Sequence, residues 1–328
     1  MAPGLRIHAQ VNPASPQAAE FDAARWGRLL AEMAGPGVVA THATDPAAFD
    51  AALAEAEVLF LCGPAALHDL PRRAPRLRWI SYSSAGVEWL LKAGLPPGVT
   101  LTNASGTHVP KAAEYSLAAV LMLNNFIPAL VTAQRAHRWA PRSGGTVAGK
   151  RVLILGMGAL GGAAADALAA QGMVVLGNSQ SGRPHPSVME MTRGEGFRAQ
   201  LPRAEFLLIA LPLTPATHGL IGRAELDLLP PQAGVVNIGR GEILDADALA
   251  AKLRDGSLGG AVLDTLPREP LPADSPLWDT PNLIITPHCG LYDPTAYAER
   301  CLRAFFANLS RFRGGEALHQ VVCLDRGY

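Results

Sequence analysis

The sequence predicts an α/β fold made of two doubly wound domains. Short apolar segments alternate with longer helical segments, which is the pattern of a parallel sheet covered by helices on both faces. This alternation occurs twice, once before and once after the glycine-rich segment Arg151–Gly161. The chain also has 328 residues, which is more than one hydrophobic core usually supports, so two domains are expected.

The first series of elements is the shorter one. Its helical segments are rich in alanine, and its strands are short apolar runs bounded by turn-forming residues. The predicted strands are Arg6–Ala9, Val38–Ala40, Val58–Leu61 and Trp79–Ser81, and the predicted helices include Ala18–Ala34 and Asp45–Ala56. Two further helices, Lys111–Asn124 and Phe126–Ala140, are expected to bridge the domains, and the segment Pro141–Gly145 ends the second of them.

The second series follows the same alternation over a longer stretch. Its strands are continuous apolar runs, as in a sheet that is buried on both faces. The predicted strands are Val152–Leu155, Val174–Leu176, Phe206–Ala210, Val235–Ile238, Ala261–Leu263 and Leu283–Ile285. Such a set suits a Rossmann-like sheet. One amphipathic helix near the end of the chain, Ala296–Phe312, is too short to form a domain and is expected to return to the first series.

The glycine-rich segment joins the first strand of the second series to a helix. Gly156, Gly158 and Gly161 have the spacing G-x-G-x-x-G, and the helical stretch Ala163–Gln171 follows them. In a dinucleotide-binding turn these glycines permit a tight turn, a close approach to a pyrophosphate and close packing of the helix on the strand. The flanking strand and helix favour this interpretation over a purely structural turn. The predicted cofactor contacts are Gly156, Gly158, Ala159, Leu160 and Gly161.

Composition narrows the class of partner. The chain has 28 Lys and Arg and 28 Asp and Glu residues, so its zero net charge gives no attraction for nucleic acid or an anionic membrane. Its four cysteines lack the paired spacing of a metal site, a redox pair or a disulfide framework. We find no secretion signal and no apolar stretch long enough for a membrane span. We therefore expect a cytoplasmic protein that binds small molecules and no metal.

Three polar side chains follow successive strands of the second series, where open parallel sheets present functional groups. Arg240 lies between two glycines, and its guanidinium can hold a carboxylate with two parallel hydrogen bonds. His288 can exchange a proton near neutral pH, and Glu269 can pair with its imidazole and select one tautomer. The alternatives are a surface salt bridge for the arginine, a core histidine and an ordinary loop carboxylate.

With the glycine turn, these residues resemble the D-isomer-specific 2-hydroxyacid dehydrogenase family, in particular its glyoxylate/hydroxypyruvate reductase-like, NADP-using members. The motifs are N-x-G-R-G at Arg240, D-x-x-x-x-E-P at Glu269 and P-H at His288. The resemblance covers nearly the whole chain, and it implies that these three residues form a catalytic triad.

The resemblance also implies a domain arrangement and further contacts. Residues 1–102 and 290–328 would form the substrate-binding domain, residues 103–289 would form the dinucleotide-binding domain, and the site would lie in the cleft between them. The implied substrate contacts are Arg240, His288 and the loop residues Ser84, Ala85 and Gly86, where backbone N–H groups would receive the substrate carboxylate. The implied further cofactor contacts are Leu211, Pro212, Thr217, Ile238, Asp264 and Gly290.

One segment bears on the choice of cofactor. Enzymes of this fold that prefer NAD carry an acidic residue after the second strand, but the segment Leu176–Arg183 contains none. Ser179, Ser181 and Arg183 can instead donate hydrogen bonds to a 2′-phosphate. The segment resembles the serine-arginine-serine pattern of NADP-using relatives, with Gln180 in place of the arginine. These four residues are assigned to the cofactor, so NADP(H) is favoured, with NAD(H) as the alternative.

The resulting hypothesis is the reduction of a small 2-keto acid to a D-2-hydroxy acid. A hydride passes from NADPH to C2 while His288 gives a proton to the carbonyl oxygen and Arg240 holds the carboxylate. The alternatives are a cofactor-sensing binding protein of the same fold and a formate-type dehydrogenase, which Glu269 disfavours because such relatives have glutamine there. The resemblance further implies a homodimer, with the helical bridge near Trp139 at the interface; the alternative for Trp139 is helix packing against the cofactor domain. The sequence does not identify the 2-keto acid.

Overall fold

The computed structural model describes residues 4–324, except for the side chain of Glu88. The chain forms two compact units: unit 1 comprises Met1–Thr107 and Asp293–Tyr328, and unit 2 comprises His108–Tyr292. The boundaries between the two units thus follow residues 107 and 292, whereas the sequence predicts domain boundaries after residues 102 and 289. Local hydrogen bonds explain the difference, because the Thr107 carbonyl accepts from Arg300 of unit 1 and His108 bonds to the Leu291 carbonyl of unit 2.

Unit 1 contains a sheet of five strands. They are β1 (Leu5–Val11), β2 (Val38–Ala43), β3 (Val58–Cys62), β4 (Trp79–Tyr82) and β5 (Thr100–Thr102). The helices between them are α1 (Ala23–Met33), α2 (Pro46–Leu53), α3 (Leu70–Arg73) and α4 (Glu88–Ala93). The sheet order is β2-β1-β3-β4-β5, and every neighbouring pair is parallel. The direction of strand addition therefore reverses after β2, as in a doubly wound sheet.

Unit 2 contains a sheet of seven parallel strands. Its elements begin with the helices α5 (Val109–Asn124) and α6 (Ile127–Arg135) and continue with β6 (Arg151–Leu155), α7 (Ala159–Ala169), β7 (Val174–Asn178), β8 (Glu190–Thr192), β9 (Phe206–Ile209), α8 (Arg223–Asp227), β10 (Gly234–Asn237), α9 (Ala246–Arg254), β11 (Gly260–Leu263) and β12 (Leu283–Ile285). The sheet order is β12-β11-β10-β9-β6-β7-β8. The six strands β6 to β11 have the strand order of a dinucleotide-binding sheet, and β12 extends one edge.

The last helix, α10 (Tyr297–Arg313), belongs to unit 1. The ring of its Phe305 lies 5.1 Å from the ring of Trp79 and 5.2 Å from that of Phe60, between centroids. Trp26 of α1 lies 5.6 Å from the same ring. Because aromatic side chains bury large apolar areas, α10 completes the core around the N-terminal strands.

The sheet of unit 2 is covered on both faces. All four positions of Val152–Leu155 are fully buried. On one face Val120 of α5 and Leu168 of α7 join a single apolar cluster, and on the other face Ile221 and Leu249 join a second. This double coverage explains why the strands of the second series are continuous apolar runs instead of alternating ones.

Three elements of unit 1 and unit 2 differ from the sequence prediction. The sequence pattern does not predict β5 or β8, because strands of three residues are too short to show a period. The predicted helix Ala18–Ala34 is interrupted, since Asp22 accepts a hydrogen bond from the N–H of Arg25 at 2.7 Å and so caps α1 at its start.

Two helix boundaries in unit 2 also differ. The helix predicted over Phe126–Ala140 is shorter in the structure. It is α6, which ends at Arg135 because His137 adopts a φ of 53°. The predicted helix Ala163–Gln171 begins earlier, at Ala159, directly after the glycine turn. Over the described part of the chain, no single helix is long and apolar enough for a membrane span, and α5 and α6 reach that length and composition only together, across a 62° bend.

Candidate active site

The glycine-rich turn connects β6 to α7. Gly156 has a φ of 97°, a conformation that L side chains rarely adopt. A Cβ on Gly161 would lie 1.9 Å from the carbonyl oxygen of Gly156, so the first turn of α7 packs directly against the turn backbone. A side chain at Gly161 would therefore push the helix away from the turn, whereas a Cβ on Gly156 would approach the Ala210 carbonyl oxygen to 2.6 Å.

Gly158 has a different environment from the other two glycines of the motif. It is the N-cap of α7, and a Cβ built on it would meet no atom within 4 Å. The first N–H groups of a helix have no partner within the helix, and the helix dipole places partial positive charge there. Open space beside unpaired N–H groups suits an anionic group such as a pyrophosphate.

The loop after β7 presents donors without a carboxylate. The Ser179 hydroxyl oxygen accepts from the N–H of Gly182 at 3.1 Å, and that of Ser181 accepts from the N–H of Arg183 at 3.3 Å. The two oxygens lie 3.4 Å apart, so at least one hydroxyl hydrogen is available to a further acceptor. Gln180 and Arg183 are exposed.

The loop after β9 is closed by its own side chain. Thr217 donates its hydroxyl hydrogen to the carbonyl of Pro212 at 2.7 Å. A Cβ on Gly156 would lie 2.6 Å from the Ala210 carbonyl oxygen, so the start of this loop contacts the glycine turn. Thr217 therefore stabilises the loop, and Leu211 lies beside the turn.

His288 and Glu269 form a hydrogen-bonded pair. His288 Nδ1 lies 2.7 Å from Glu269 Oε2, and Glu269 Oε1 accepts from the N–H of Leu266 at 2.9 Å. With both oxygens anchored, the carboxylate accepts the Nδ1 proton and leaves Nε2 as the ring atom that can exchange a proton with a bound molecule. The two side chains are 50% and 37% exposed, so the pair is accessible to such a molecule. This arrangement suits general acid–base chemistry.

A buried carboxylate holds the segment that carries His288. Asp264 is 1% exposed, and its Oδ1 accepts from the Thr286 hydroxyl at 2.6 Å and from the N–H of Gly290 at 2.8 Å. Its backbone carbonyl accepts from the N–H of His288 at 2.8 Å. Within residues 4–324, Asp264 Oδ2 is buried and has no hydrogen-bond partner. Because an unpaired buried acceptor is unfavourable, this oxygen can bind an amide donor of a ligand.

Tyr115 extends this network. Thr286 donates its one hydroxyl hydrogen to Asp264, so Tyr115 is the donor in its 2.6 Å contact with Thr286 Oγ1. A Cβ on Gly290 would approach the Tyr115 ring to 2.3 Å. Burial raises the pKa of Tyr115 to about 12, so the hydroxyl stays protonated at neutral pH. Sequence reasoning missed this residue, because the pattern of an interior helix does not reveal which strand end a side chain reaches.

The segment that carries Arg240 is fixed by its own polar contacts. Asn237 Nδ2 donates to the Arg240 carbonyl at 3.0 Å, and Asn237 Oδ1 accepts from the N–H of Gly239 at 3.0 Å. A Cβ on Gly241 would lie 1.9 Å from the carbonyl carbon of Leu266. The arginine segment therefore contacts the loop that anchors the acidic partner of the imidazole.

The predicted substrate contacts lie in unit 1, after β4. The Ser84 carbonyl accepts from the N–H of Ala104 at 3.0 Å, and the Ala85 carbonyl accepts from Asn103 Nδ2 at 2.8 Å. Among the residues whose structure is described, none accepts a hydrogen bond from the N–H of Ala85 or Gly86. Adjacent N–H groups of this kind can bind an anion. Their role towards a substrate stays a prediction.

Unit 2 brings the other predicted residues to one edge of its sheet, because the carboxyl ends of parallel strands share an edge. The loops after β6, β7, β9, β10, β11 and β12, together with the first turn of α7, carry Gly156, Gly158, Ala159, Leu160, Gly161, Ser179, Gln180, Ser181, Arg183, Leu211, Pro212, Thr217, Ile238, Arg240, Asp264, Glu269, His288 and Gly290. No group of three His, Cys, Asp or Glu side chains in the described ranges could hold a metal ion.

Comparisons with known proteins agree with this geometry. A family model described as "D-isomer specific 2-hydroxyacid dehydrogenase, NAD binding domain" matches residues 117–290. Glyoxylate/hydroxypyruvate reductase B of Pectobacterium atrosepticum is 37% identical over 254 residues, which cover 75% of this chain and 79% of that protein. The region that the family model matches includes the glycine turn and all three of the polar side chains that follow later strands.

Two solved structures resemble the whole chain. A D-isomer specific 2-hydroxyacid dehydrogenase from Xanthobacter autotrophicus, in complex with NADPH, has a TM-score of 0.83 and 30% identity, with 100% of each chain covered. An NADPH-dependent glyoxylate/hydroxypyruvate reductase from Sinorhizobium meliloti, in complex with NADP, has a TM-score of 0.81 and 30% identity, covering 99% of this chain and 100% of that one.

Proposed function

Because the chain belongs to the D-isomer specific 2-hydroxyacid dehydrogenase family, we propose that it reduces a small 2-keto acid to a 2-hydroxy acid with NADPH. The observation that carries this proposal is the 2.7 Å contact between His288 Nδ1 and Glu269 Oε2. A histidine oriented in this way can donate a proton from Nε2 to a carbonyl oxygen as a hydride reaches the carbonyl carbon. The reduced nicotinamide supplies that hydride when it is bound.

Three side chains have separate roles in this reaction. His288 donates the proton, and Glu269 orients the imidazole by accepting a hydrogen bond from its Nδ1. Arg240 binds the substrate carboxylate and polarises the carbonyl, because a guanidinium can form two parallel hydrogen bonds to a carboxylate.

The cofactor is held by groups along the sheet edge of unit 2. The N–H groups at the start of α7 beside Gly158 bind the pyrophosphate. The unpaired Oδ2 of Asp264 accepts from the nicotinamide carboxamide, and Ser179, Ser181 and Arg183 bind the 2′-phosphate. The two solved relatives in complex with NADPH and NADP support this choice over NAD(H).

The substrate class, the assembly and the location belong to the same proposal. Glyoxylate and hydroxypyruvate are the first substrates to test, because both reductases described above are named for them. We propose a homodimer, which is supported by Trp139, whose side chain is 97% exposed in a segment without regular structure. A cytoplasmic location is the corresponding expectation for an enzyme that uses this cofactor.

The test is turnover of NADPH and NADH with a panel of 2-keto acids, followed by the absorbance of the reduced nicotinamide. Wild type should turn over with NADPH, and His288→Ala should lose about 10²–10⁴-fold in kcat, the usual contribution of an aligned proton donor. Cofactor binding, measured by calorimetry, should be unchanged in this variant. A wild-type protein that binds NADPH but reduces no 2-keto acid would contradict the proposal and favour a nucleotide-sensing role.

A further inference from the structure

The loop after β7 is joined to the end of β8. The N–H of Ser179 donates to the Thr192 carbonyl at 3.2 Å, and Asn178 Nδ2 donates to Thr192 Oγ1 at 2.9 Å and to the Gly194 carbonyl at 3.2 Å. Residues on both sides of Arg193 are therefore bonded to the start of this loop. The end of β8 is a fixed neighbour of the loop that we assign to the 2′-phosphate.

The stem of Arg193 packs against this loop. A Cβ on Gly182 would lie 3.4 Å from Arg193 Cβ and 3.5 Å from Arg193 Cδ. Thr192 points the other way, because its hydroxyl donates to Gln200 Oε1 at 3.0 Å. Since successive side chains alternate along an extended strand, Arg193 leaves β8 on the side of Gly182.

Among the described residues, two arginine side chains beside this loop have no acidic partner. Among the residues that the structure describes, no acidic side chain pairs with the guanidinium of Arg183 or Arg193. The neighbouring acids have other partners. Glu190 accepts from Arg203 at 2.7 Å and 2.8 Å, and Glu195 pairs with Arg198. Both free guanidinium groups are exposed, which is the condition for binding a phosphate.

We propose that Arg193 binds the 2′-phosphate of NADP(H) and supplies, from the residue after β8, the guanidinium that Gln180 lacks. This inference rests on the proposed function, because it assumes that the adenosine end of the cofactor lies at this loop. Arg193 and Arg183 reach the phosphate from the two sides of the turn at Gly182, and Ser179 and Ser181 add neutral donors. Arg193 is thus a determinant of NADP preference.

Binding of adenosine 2′,5′-bisphosphate and of 5′-AMP, measured by calorimetry, tests the inference without any turnover. Arg193→Ala should weaken binding of the bisphosphate about 10-fold, because one charge-assisted hydrogen bond to an exposed phosphate is worth about that factor. Binding of 5′-AMP should change less than about twofold, within the spread of such measurements. The difference should shrink at high salt, because salt screens exposed charges.

Two further variants separate the effect of the Arg193 charge from the packing of its side chain and from the overall charge of the protein. Arg193→Met keeps the stem against Gly182 and removes the charge, so it should match Arg193→Ala in affinity while unfolding at the temperature of the wild type. Arg151→Ala removes an equal charge from the opposite, amino end of the sheet, at the start of β6, and should leave bisphosphate binding unchanged.

Three outcomes would overturn the inference. If Arg193→Ala and Arg193→Met bind the bisphosphate as wild type does, while wild type reduces a 2-keto acid with NADPH, Arg193 has no role and the proposed function stands. If Arg151→Ala weakens binding as much as Arg193→Ala, the effect is one of overall charge. If wild type binds neither nucleotide, the inference and the proposed function both fail.

Discussion

His288 is positioned through its backbone as well as its side chain. It has a φ of 51°, which is unfavourable for a residue other than glycine by about 1–2 kcal/mol. Its N–H donates to the Asp264 carbonyl, and the carboxylate of the same aspartate binds the N–H of Gly290 two residues later. The segment 286–290 is therefore held in one conformation by a single buried residue, which Thr286 and Tyr115 support in turn.

The Tyr115→Phe variant tests whether the hydrogen-bond network of Tyr115, Thr286 and Asp264 positions the His288 imidazole. We expect kcat to fall about 3- to 10-fold with an unchanged KM for the 2-keto acid, because the lost hydrogen bond is worth about 1 kcal/mol and touches no ligand. The free energy of unfolding, from urea titration, should fall by a similar amount.

The control is Thr132→Val, which removes the hydroxyl hydrogen bonds of α6 to the Pro128 carbonyl and the N–H of Asn282, away from Thr286. An equal loss of kcat in both variants, or a rise in KM alone for Tyr115→Phe, would contradict a positioning role. Because burial holds the pKa of Tyr115 near 12, its ionisation should not appear in the pH profile of kcat between neutral and mildly alkaline pH.

At the start of α7, the glycine motif contains one glycine that packs against backbone and one that borders free space. A Cβ on Gly161 would lie 1.9 Å from a backbone oxygen, whereas a Cβ on Gly158 would meet nothing within 4 Å. Two alanine substitutions three residues apart therefore separate stability from binding.

We expect Gly161→Ala to destabilise the protein by about 1–3 kcal/mol, because the backbone must move to accommodate the methyl group. Gly158→Ala should change stability by less than about 1 kcal/mol, the usual effect of an N-cap change. It should nevertheless weaken NADPH binding, because the methyl group occupies the space beside the first N–H groups of α7. Urea unfolding and calorimetry measure the two effects, and equal destabilisation by both variants would refute this division.

The segment before α10 contains a carboxylate with an unusual pKa. Hydrogen bonds from Thr295, together with Arg300, lower the pKa of Asp293 from 3.8 to about 2. Because its pKa is lower in the folded state than in the unfolded chain, this carboxylate contributes stability above about pH 4, and the contribution is lost as the pH falls towards 2.

The difference in unfolding free energy between wild type and Asp293→Asn should therefore be constant above about pH 5 and decrease below pH 4. Urea titrations at several pH values measure it. Asp274→Asn, at an exposed position, is the control for the removal of one negative charge. A difference that stays constant down to pH 3 would show that Asp293 is not stabilised in this way.

For the molecule as a whole, the strand order of unit 2 determines where its functional groups meet. β6 lies between β9 and β7, so the glycine turn has a functional loop on each side. The loops that carry Arg240, Asp264, Glu269 and His288 follow successive strands towards the β12 edge. In the proposed function, the groups that bind the pyrophosphate and the 2′-phosphate therefore occupy the β6–β8 half of this sheet edge, and the proton-transfer groups occupy the β10–β12 half.

The proposed homodimer is tested at the same scale. Light scattering should give twice the mass of the chain, and Trp139→Ala should weaken dimerisation about 30-fold, because a buried interface tryptophan is often worth about 2 kcal/mol. Trp278 is the matched control, since its side chain is 44% exposed but its Nε1 donates to the Pro272 carbonyl at 2.9 Å within unit 2. A wild-type monomer would refute the assembly.

Local features of the chain were sufficient to predict the parallel α/β architecture, the glycine turn and the residue types at the strand ends. Each depends on a few consecutive residues: an apolar run, a glycine spacing or a motif such as P-H at His288. For this reason the family and its reaction could be inferred from the sequence, and the comparisons confirm the family.

Only the tertiary structure decided which distant residues meet. Tyr115 and Thr286 are hydrogen-bonded although 171 positions separate them, and no local pattern encodes that contact. Arg193 lies beside Gly182 because β8, a strand of three residues without a detectable period, pairs with β7. The physical reason is the same in both cases: periodicity and glycine spacing act within a segment, whereas strand order and helix packing bring segments together.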